Sequence, residues 1–264
     1  MIYILNFLII VLVVGTITAF LNIKFDKFFI ILMLLFLTNL TIKQSIDIAL
    51  WLVFLGAITI IFKNLDKISK MPIKSKINFL TKIPIIVAIS TFIGSYLFIR
   101  TSNSILIFTL GILAILYGLR LIFIHFTEKE MNYTKLNPVM LKFCGIFGPI
   151  ISGFLLGFIG TSLKSLKIPF AIKFGKLNLK QVYIGNVIVA AYASMFAILL
   201  HAILTNTSIN YIFNNFILGL TLWISIHFIS ELTNKFVKDR WRKPVQILIG
   251  FVLLLVSIKV FMLI

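Results

Sequence analysis

The chain has 264 residues, of which 61% are hydrophobic and only 12% charged, with a mean hydropathy of +1.13. A soluble domain needs far more polar surface, so the composition predicts an integral membrane protein. Twenty-five Lys and Arg against seven acids give a net charge of +18. In a soluble chain that excess would point to nucleic acid; here the basic residues stand between apolar segments, where they orient helices and meet anionic headgroups. No nucleic-acid partner is expected. The apolar runs are continuous rather than alternating, which predicts helices and not a transmembrane barrel. The lone Cys144 lies in an apolar run, which excludes an intrachain disulfide and a thiolate metal site.

Apolar segments fall at about 2–21, 28–42, 46–62, 83–99, 105–126, 143–160, 168–174, 182–204, 212–230 and 246–264. The first lysine is Lys24, so the basic start of a secretory signal is missing and residues 1–20 are expected to stay as a membrane segment. Several segments approach the roughly 20 residues that span a bilayer. Residues 168–174 are too short, because at about 1.5 Å per residue they fall well below about 30 Å of hydrocarbon. The spacing therefore predicts a helical hairpin over 143–160 and 161–180, with a short second arm buried against protein. Segments 2–21 and 28–42 predict a similar pair, joined by LNIKFDK.

The basic residues predict the orientation. Linkers 24–27, 63–82, 127–142, 173–181 and 231–245 hold nineteen of the twenty-five. Linkers 41–45, 100–104, 161–167 and 205–211 hold only Lys43, Arg100, Lys164 and Lys167. Placing the richer set in the cytoplasm gives one consistent topology, with 63–82, 127–142 and 231–245 inside a cell membrane crossed several times.

The halves repeat. Gly15-x3-Ala19-x2-Asn22 matches Gly153-x3-Gly157-x2-Gly160 at an offset of 138, and LGILAILYGLRLIF from Leu110 matches IGFVLLLVSIKVFM from Ile249 at 139. The expected fold is an all-α membrane bundle of two inverted-topology repeats, each one hairpin plus three transmembrane helices. Residues 1–126 form the first repeat, 127–142 the linker and 143–264 the second. Such architectures place a substrate near the midplane where the repeats meet.

The densest signal runs from Gly153 to Pro169, GFLLGFIGTSLKSLKIP. Gly153, Gly157 and Gly160 share a helix face on which another backbone can approach closely, and Gly15 occupies the matching place in the first half. The run then turns polar and cationic before Pro169, which lacks a backbone donor. A broken membrane helix lining a polar cavity needs such a pattern; an ordinary helix end followed by a loop is the other reading.

These residues resemble the sulfite exporter TauE/SafE family, whose hairpins carry a glycine-rich run ending in proline. The resemblance rests on Gly153, Gly157 and Gly160, on Pro169 nine positions later, and on GNVIVAAYASMFAILLHAIL and GFVLLLVSIKVF; it covers the first half weakly. It implies a probable membrane transporter, several members being linked to export of sulfite or organosulfur anions. Ser162, Leu163 and Lys164 stand where the family continues with glycines, and Ala19, Asn22 and Ile31 depart from the first hairpin's pattern.

No catalytic site is expected. None of the seven acids pairs with another inside an apolar segment, and His125, His201 and His227 lack metal-ligand spacing. No metal or cofactor is expected either. An unwound helix exposes N–H groups that favour an anion, and Gly160, Thr161, Ser162 and Lys164 sit at the expected break. Asn22 and Lys24 are their approximate counterparts, and Asn186 is a buried polar candidate whose alternative is a helix–helix hydrogen bond. The plainer reading makes Lys164 and Lys167 solvated loop lysines; Asp47 reads as a helix cap ahead of a proton relay, and Trp51, Trp223, Tyr133 and Tyr211 as interfacial anchors. The expected function is secondary export of a small inorganic or organosulfur anion at the hairpin breaks between the repeats. The alternative is a non-transporting membrane scaffold or assembly partner. Partners are the lipid bilayer and a small anion, with a homo-oligomer left open.

Overall fold

Long apolar runs in lipid leave the backbone no hydrogen-bond partner but itself, and the chain meets this demand with helices. The computed structural model describes residues 2–21, 28–69, 73–124, 138–173 and 179–263, and among them finds twelve helices and no strand. These are α1 (Ile2–Leu21), α2 (Phe28–Leu37), α3 (Ile42–Lys63), α4 (Leu65–Ser69), α5 (Ile73–Leu80), α6 (Lys82–Arg100), α7 (Asn103–Phe123), α8 (Pro138–Ile159), α9 (Lys164–Lys173), α10 (Leu179–Leu204), α11 (Ile209–Asn234) and α12 (Asp239–Phe261). Six stretches are long and apolar enough to cross a membrane: Ile42–Lys63, Ile77–Arg100, Asn103–Phe123, Val182–Leu204, Ile209–Asn234 and Arg240–Phe261. Shorter apolar stretches lie in α1, α2 and α8.

The segment expected over 28–42 is divided, for a local reason. Thr38 Oγ1 donates to the Leu34 carbonyl and ends α2. Thr41 and Gln44 then cap α3 reciprocally: Thr41 N donates to Gln44 Oε1 at 2.9 Å, and Gln44 N to Thr41 Oγ1 at 3.3 Å. That pair, rather than Asp47, caps the helix. The ten residues of α2 are too short to cross a bilayer, and its Phe28, Ile30 and Ile31 are fully buried.

The chain divides into two compact units that are not its sequential halves. The first takes Met1–Leu52, Thr101–His125 and Phe213–Ile264; the second takes Val53–Arg100 and Phe126–Ile212. In the first unit Phe28 stacks on Tyr117 with ring centroids 4.7 Å apart, both buried. Asn6 Nδ2 donates to the Leu37 carbonyl at 2.5 Å and closes the α1–α2 hairpin. α7 and α12 cross antiparallel through glycines. A Cβ on Gly118 would lie 2.8 Å from the Gly250 carbonyl oxygen, and one on Gly250 would lie 2.8 Å from the Gly118 carbonyl oxygen. A Cβ on Gly111 would lie 2.6 Å from the Phe261 ring, and one on Gly250 would lie 2.8 Å from Ile122 Cγ1. A Cβ on Gly15 would lie 2.6 Å from Ile229 Cγ2 of α11 and 3.4 Å from the Ile226 carbonyl. Trp51 is a packing residue and not a free interfacial anchor: its ring meets Phe216 edge-on at 5.1 Å, and its Cβ covers Gly219.

In the second unit α6, α8 and α10 pack on one another, and α9 packs on α8 and α10. The α6–α8 contact is close because backbone meets backbone. A Cβ on Gly157 would lie 2.5 Å from the Thr91 carbonyl and 2.9 Å from Ser95 N. One on Gly153 would lie 3.0 Å from the Val87 carbonyl, and Gly94 in turn abuts the Phe154 carbonyl. Real Cβ atoms do not sit this near to main chain, so glycine sets the separation of α6 and α8.

Candidate functional site: the break between α8 and α9

The α8 helix stops because Gly160 leaves the helical region. Its φ is 71°, a left-handed conformation that costs glycine little, while its N–H still donates to the Leu156 carbonyl at 3.1 Å. Thr161–Leu163 follow without helix, and Leu163 is also left-handed at φ 47°. A bulky residue there is strained, a state that surrounding structure must impose. α9 then begins at Lys164, with Lys167 N donating to the Leu163 carbonyl at 2.9 Å. Gly160 therefore serves the turn, whereas Gly153 and Gly157 serve the packing. Pro169 does not end a helix; it lies inside α9, five residues past its first, and the break falls earlier.

The polar groups around the turn are largely shielded. Thr161 is 2% exposed and Lys164 9% exposed, and Ser162 is half-buried. Lys164 Nζ stands 3.9 Å from the centroid of the Tyr183 ring on α10, a cation–π contact. Lys167 Nζ donates to Oγ of the buried Ser152 on α8. Both lysines are thus packed helix residues, not the solvated loop lysines of the plainer sequence reading. Between Met131 and Ser230 the chain has neither Asp nor Glu, so α8, α9 and α10 add two packed ammonium groups and no carboxylate.

One turn before the break, His201 of α10 holds the end of α8. Its Nε2 lies 2.8 Å from the Gly157 carbonyl. A carbonyl only accepts, so Nε2 carries the proton in this bond. The ring stacks on Phe98 of α6 at 4.1 Å and is 4% exposed. The bond takes up a carbonyl in the last turn of α8, one of the groups that a helix end leaves open.

The expected site residues thus divide. Gly160, Thr161, Ser162 and Lys164 come together at the turn. Asn186 lies one turn along α10 from Tyr183, and its Nδ2 donates to the Val182 carbonyl of its own helix at 2.9 Å. Asn22 and Lys24 lie outside the described residues, as do His125, Tyr133 and most of the 127–142 linker. Sequence reasoning gave no site role to Lys167, Ser152, Tyr183 or His201. The available signal was that Lys164 and Lys167 are one helical turn apart in a long run without acids. Among the described residues no three His, Cys, Asp or Glu side chains gather as metal ligands would. Known protein families, curated proteins and solved structures provide no match to this chain.

Proposed function

We propose that the protein is a secondary transporter of a small oxyanion, inorganic or organosulfur, and that the break between α8 and α9 is its anion site. The carrying observation is the cluster of Lys164 and Lys167, both packed, on elements with no carboxylate. Cations held away from water favour a nearby counter-charge. A bound oxyanion supplies one, and it also accepts hydrogen bonds from the turn's N–H groups and from Thr161 and Ser162. On this reading Tyr183 and Ser152 hold the two ammonium groups in place, and His201 fixes where α8 ends.

The transporter reading draws support from the internal repeat. Gly15 faces Ile226 and Ile229, and Gly153 faces Val87 and Ser90; the glycines differ by 138 and their partners by 139 in each case. At the α7–α12 crossing, exchanging the halves by 139 turns the Gly111–Phe261 contact into Gly250–Ile122, which is also present. Equivalent helices that cross antiparallel are what inverted repeats require. The basic loops 63–82, 127–142 and 231–245 are cytoplasmic in this proposal, and the likeness to the sulfite exporter TauE/SafE family gives the anion class.

The test is counterflow of labelled sulfite and other small oxyanions in proteoliposomes. Thr161→Val, Ser162→Ala, Lys164→Gln and Lys167→Gln are compared with Lys70→Gln as a loop control. Each site variant is expected to weaken anion affinity by about 2- to 100-fold, from the worth of one neutral or charged hydrogen bond. Four folded site variants with unchanged affinity would place the anion elsewhere. No counterflow of any oxyanion by folded wild-type protein would remove the transporter reading in favour of the scaffold.

A further inference from the structure

The segment joining α3 to α6 combines two properties that the transport site does not use. It carries Lys63, Lys67, Lys70, Lys74, Lys76 and Lys82 against the single acid Asp66. It also exposes large apolar side chains. Phe62, Leu65, Ile73, Ile77 and Leu80 are between 50% and 75% exposed. Within α5, Ile73, Ile77 and Leu80 recur at spacings of four and three, so they form one stripe. The helix has a defined inner side as well, since Phe79 Cζ lies 3.8 Å from the position of a Cβ on Gly185 of α10. The apolar stripe is therefore a face left over after α5 has packed against its own unit.

Two features indicate what covers it. Pro84 cannot donate to the Leu80 carbonyl, so the helix is interrupted at Thr81 and α5 is a separate element directly before α6. Beyond the interruption, α6 continues with exposed Ile85, Ile89, Phe92 and Tyr96, the side of a membrane span that meets hydrocarbon. Ile77 and Leu80 begin the apolar stretch Ile77–Arg100, so the α5 stripe lies at the end of an acyl-facing surface. In sequence, Lys74 and Lys76 alternate with the residues of that helix. An apolar stripe in a segment of strongly positive charge complements an interface of acyl chains below and anionic headgroups above.

We propose that α5 is an interfacial helix that binds anionic phospholipid, inserting Ile73, Ile77 and Leu80 while the loop's lysines neutralise headgroups. The test uses the full-length protein in nanodiscs, with Cys144→Ser as background and an environment-sensitive dye on Ile77→Cys. With phosphatidylcholine and phosphatidylglycerol together, the dye is expected to emit at shorter wavelength and to resist an aqueous quencher. Phosphatidylcholine alone, or high ionic strength, should restore quenching because the attraction is screened. Lys74→Gln and Lys76→Gln should each lower the lipid dependence by about fivefold. A dye at Asn78→Cys, which helical spacing sets away from both the stripe and the Phe79 side, should stay quenchable in both lipids. Equal quenching at position 77 in both compositions would overturn the proposal, and so would equal protection, which makes the contact independent of headgroup charge. A disulfide between two undyed copies of the Ile77→Cys variant, formed in either lipid, would give the face to a second copy and overturn it too.

Discussion

Along α8 four glycines share one helix and meet opposite surroundings, which gives a contrast internal to the protein. A methyl added at Gly157 would sit 2.5 Å from the Thr91 carbonyl oxygen, 2.9 Å from Ser95 N and 3.0 Å from Ser95 Oγ. The two nearest are main-chain atoms of α6, which cannot turn aside as a flexible side chain can. Relief requires α6 and α8 to part by roughly 1 Å, and overpacking of this kind costs about 1–3 kcal/mol. At about 2–4 °C per kcal/mol for a chain of this size, Gly157→Ala should lower Tm by about 2–12 °C. Gly153→Ala should act likewise. Gly145 and Gly148 have nothing within 4 Å of the added methyl. There alanine meets no obstacle and gains about 0.5–1 kcal/mol of helix preference over glycine, so Tm should hold or rise by up to about 4 °C. Thermal unfolding of the four variants in one detergent, followed by intrinsic fluorescence, makes the comparison. A Tm for Gly157→Ala equal to that of Gly148→Ala would refute the claim that backbone contact sets the spacing of α6 and α8.

Three further outcomes are expected. Gly118→Ala and Gly250→Ala should each cost about 1–3 kcal/mol, and the double variant less than their sum, because each methyl meets the other glycine's carbonyl; denaturant titration of the cycle measures this, and strict additivity would count against the reciprocal contact. Gly160→Ala should lose about 1–2 kcal/mol to its positive φ while Gly160→Asn loses less; thermal melts rank the pair, and equal losses would point to packing as Gly160's role. With Cys144→Ser as background, an impermeant thiol reagent added to intact cells should label a cysteine at 207 and spare one at 70; the reverse pattern would sink the proposed topology.

Much of the helix framework was legible because hydropathy and length are local properties. The six spans fall where continuous apolar runs and their basic flanks place them. The stop of α2 at Leu37, inside the stretch expected as 28–42, turns on the Thr38 side-chain hydrogen bond, which a hydropathy average does not register. The glycine run was readable as a face but not in its division of labour, since spacing alone cannot tell a glycine chosen for closeness from one chosen for φ. Gly153 and Gly157 are the first kind and Gly160 the second. The tethers of Lys167 to Ser152 and of His201 to Gly157 were out of reach for a different reason. They join residues 15 and 44 apart in sequence, and only the hairpin and the α8–α10 packing bring them together. That Asn186 Nδ2 bonds the Val182 carbonyl of its own helix was likewise beyond what residue type could tell.

The acid-free stretch from Met131 to Ser230 also constrains how the second hairpin answers to pH. Most proteins lose stability in acid as paired or hydrogen-bonded carboxylates take up protons. α8, α9 and α10 hold no side-chain carboxylate, so that titration has no direct site of action in them. Their positive charge persists through the range in which Asp and Glu elsewhere in the chain are neutralised. Proton coupling by a carboxylate relay is likewise closed to these three helices, and any such relay must run through the acids outside them. Of those among the described residues, Asp47 lies in the second turn of α3 and Glu231 in the last turn of α11.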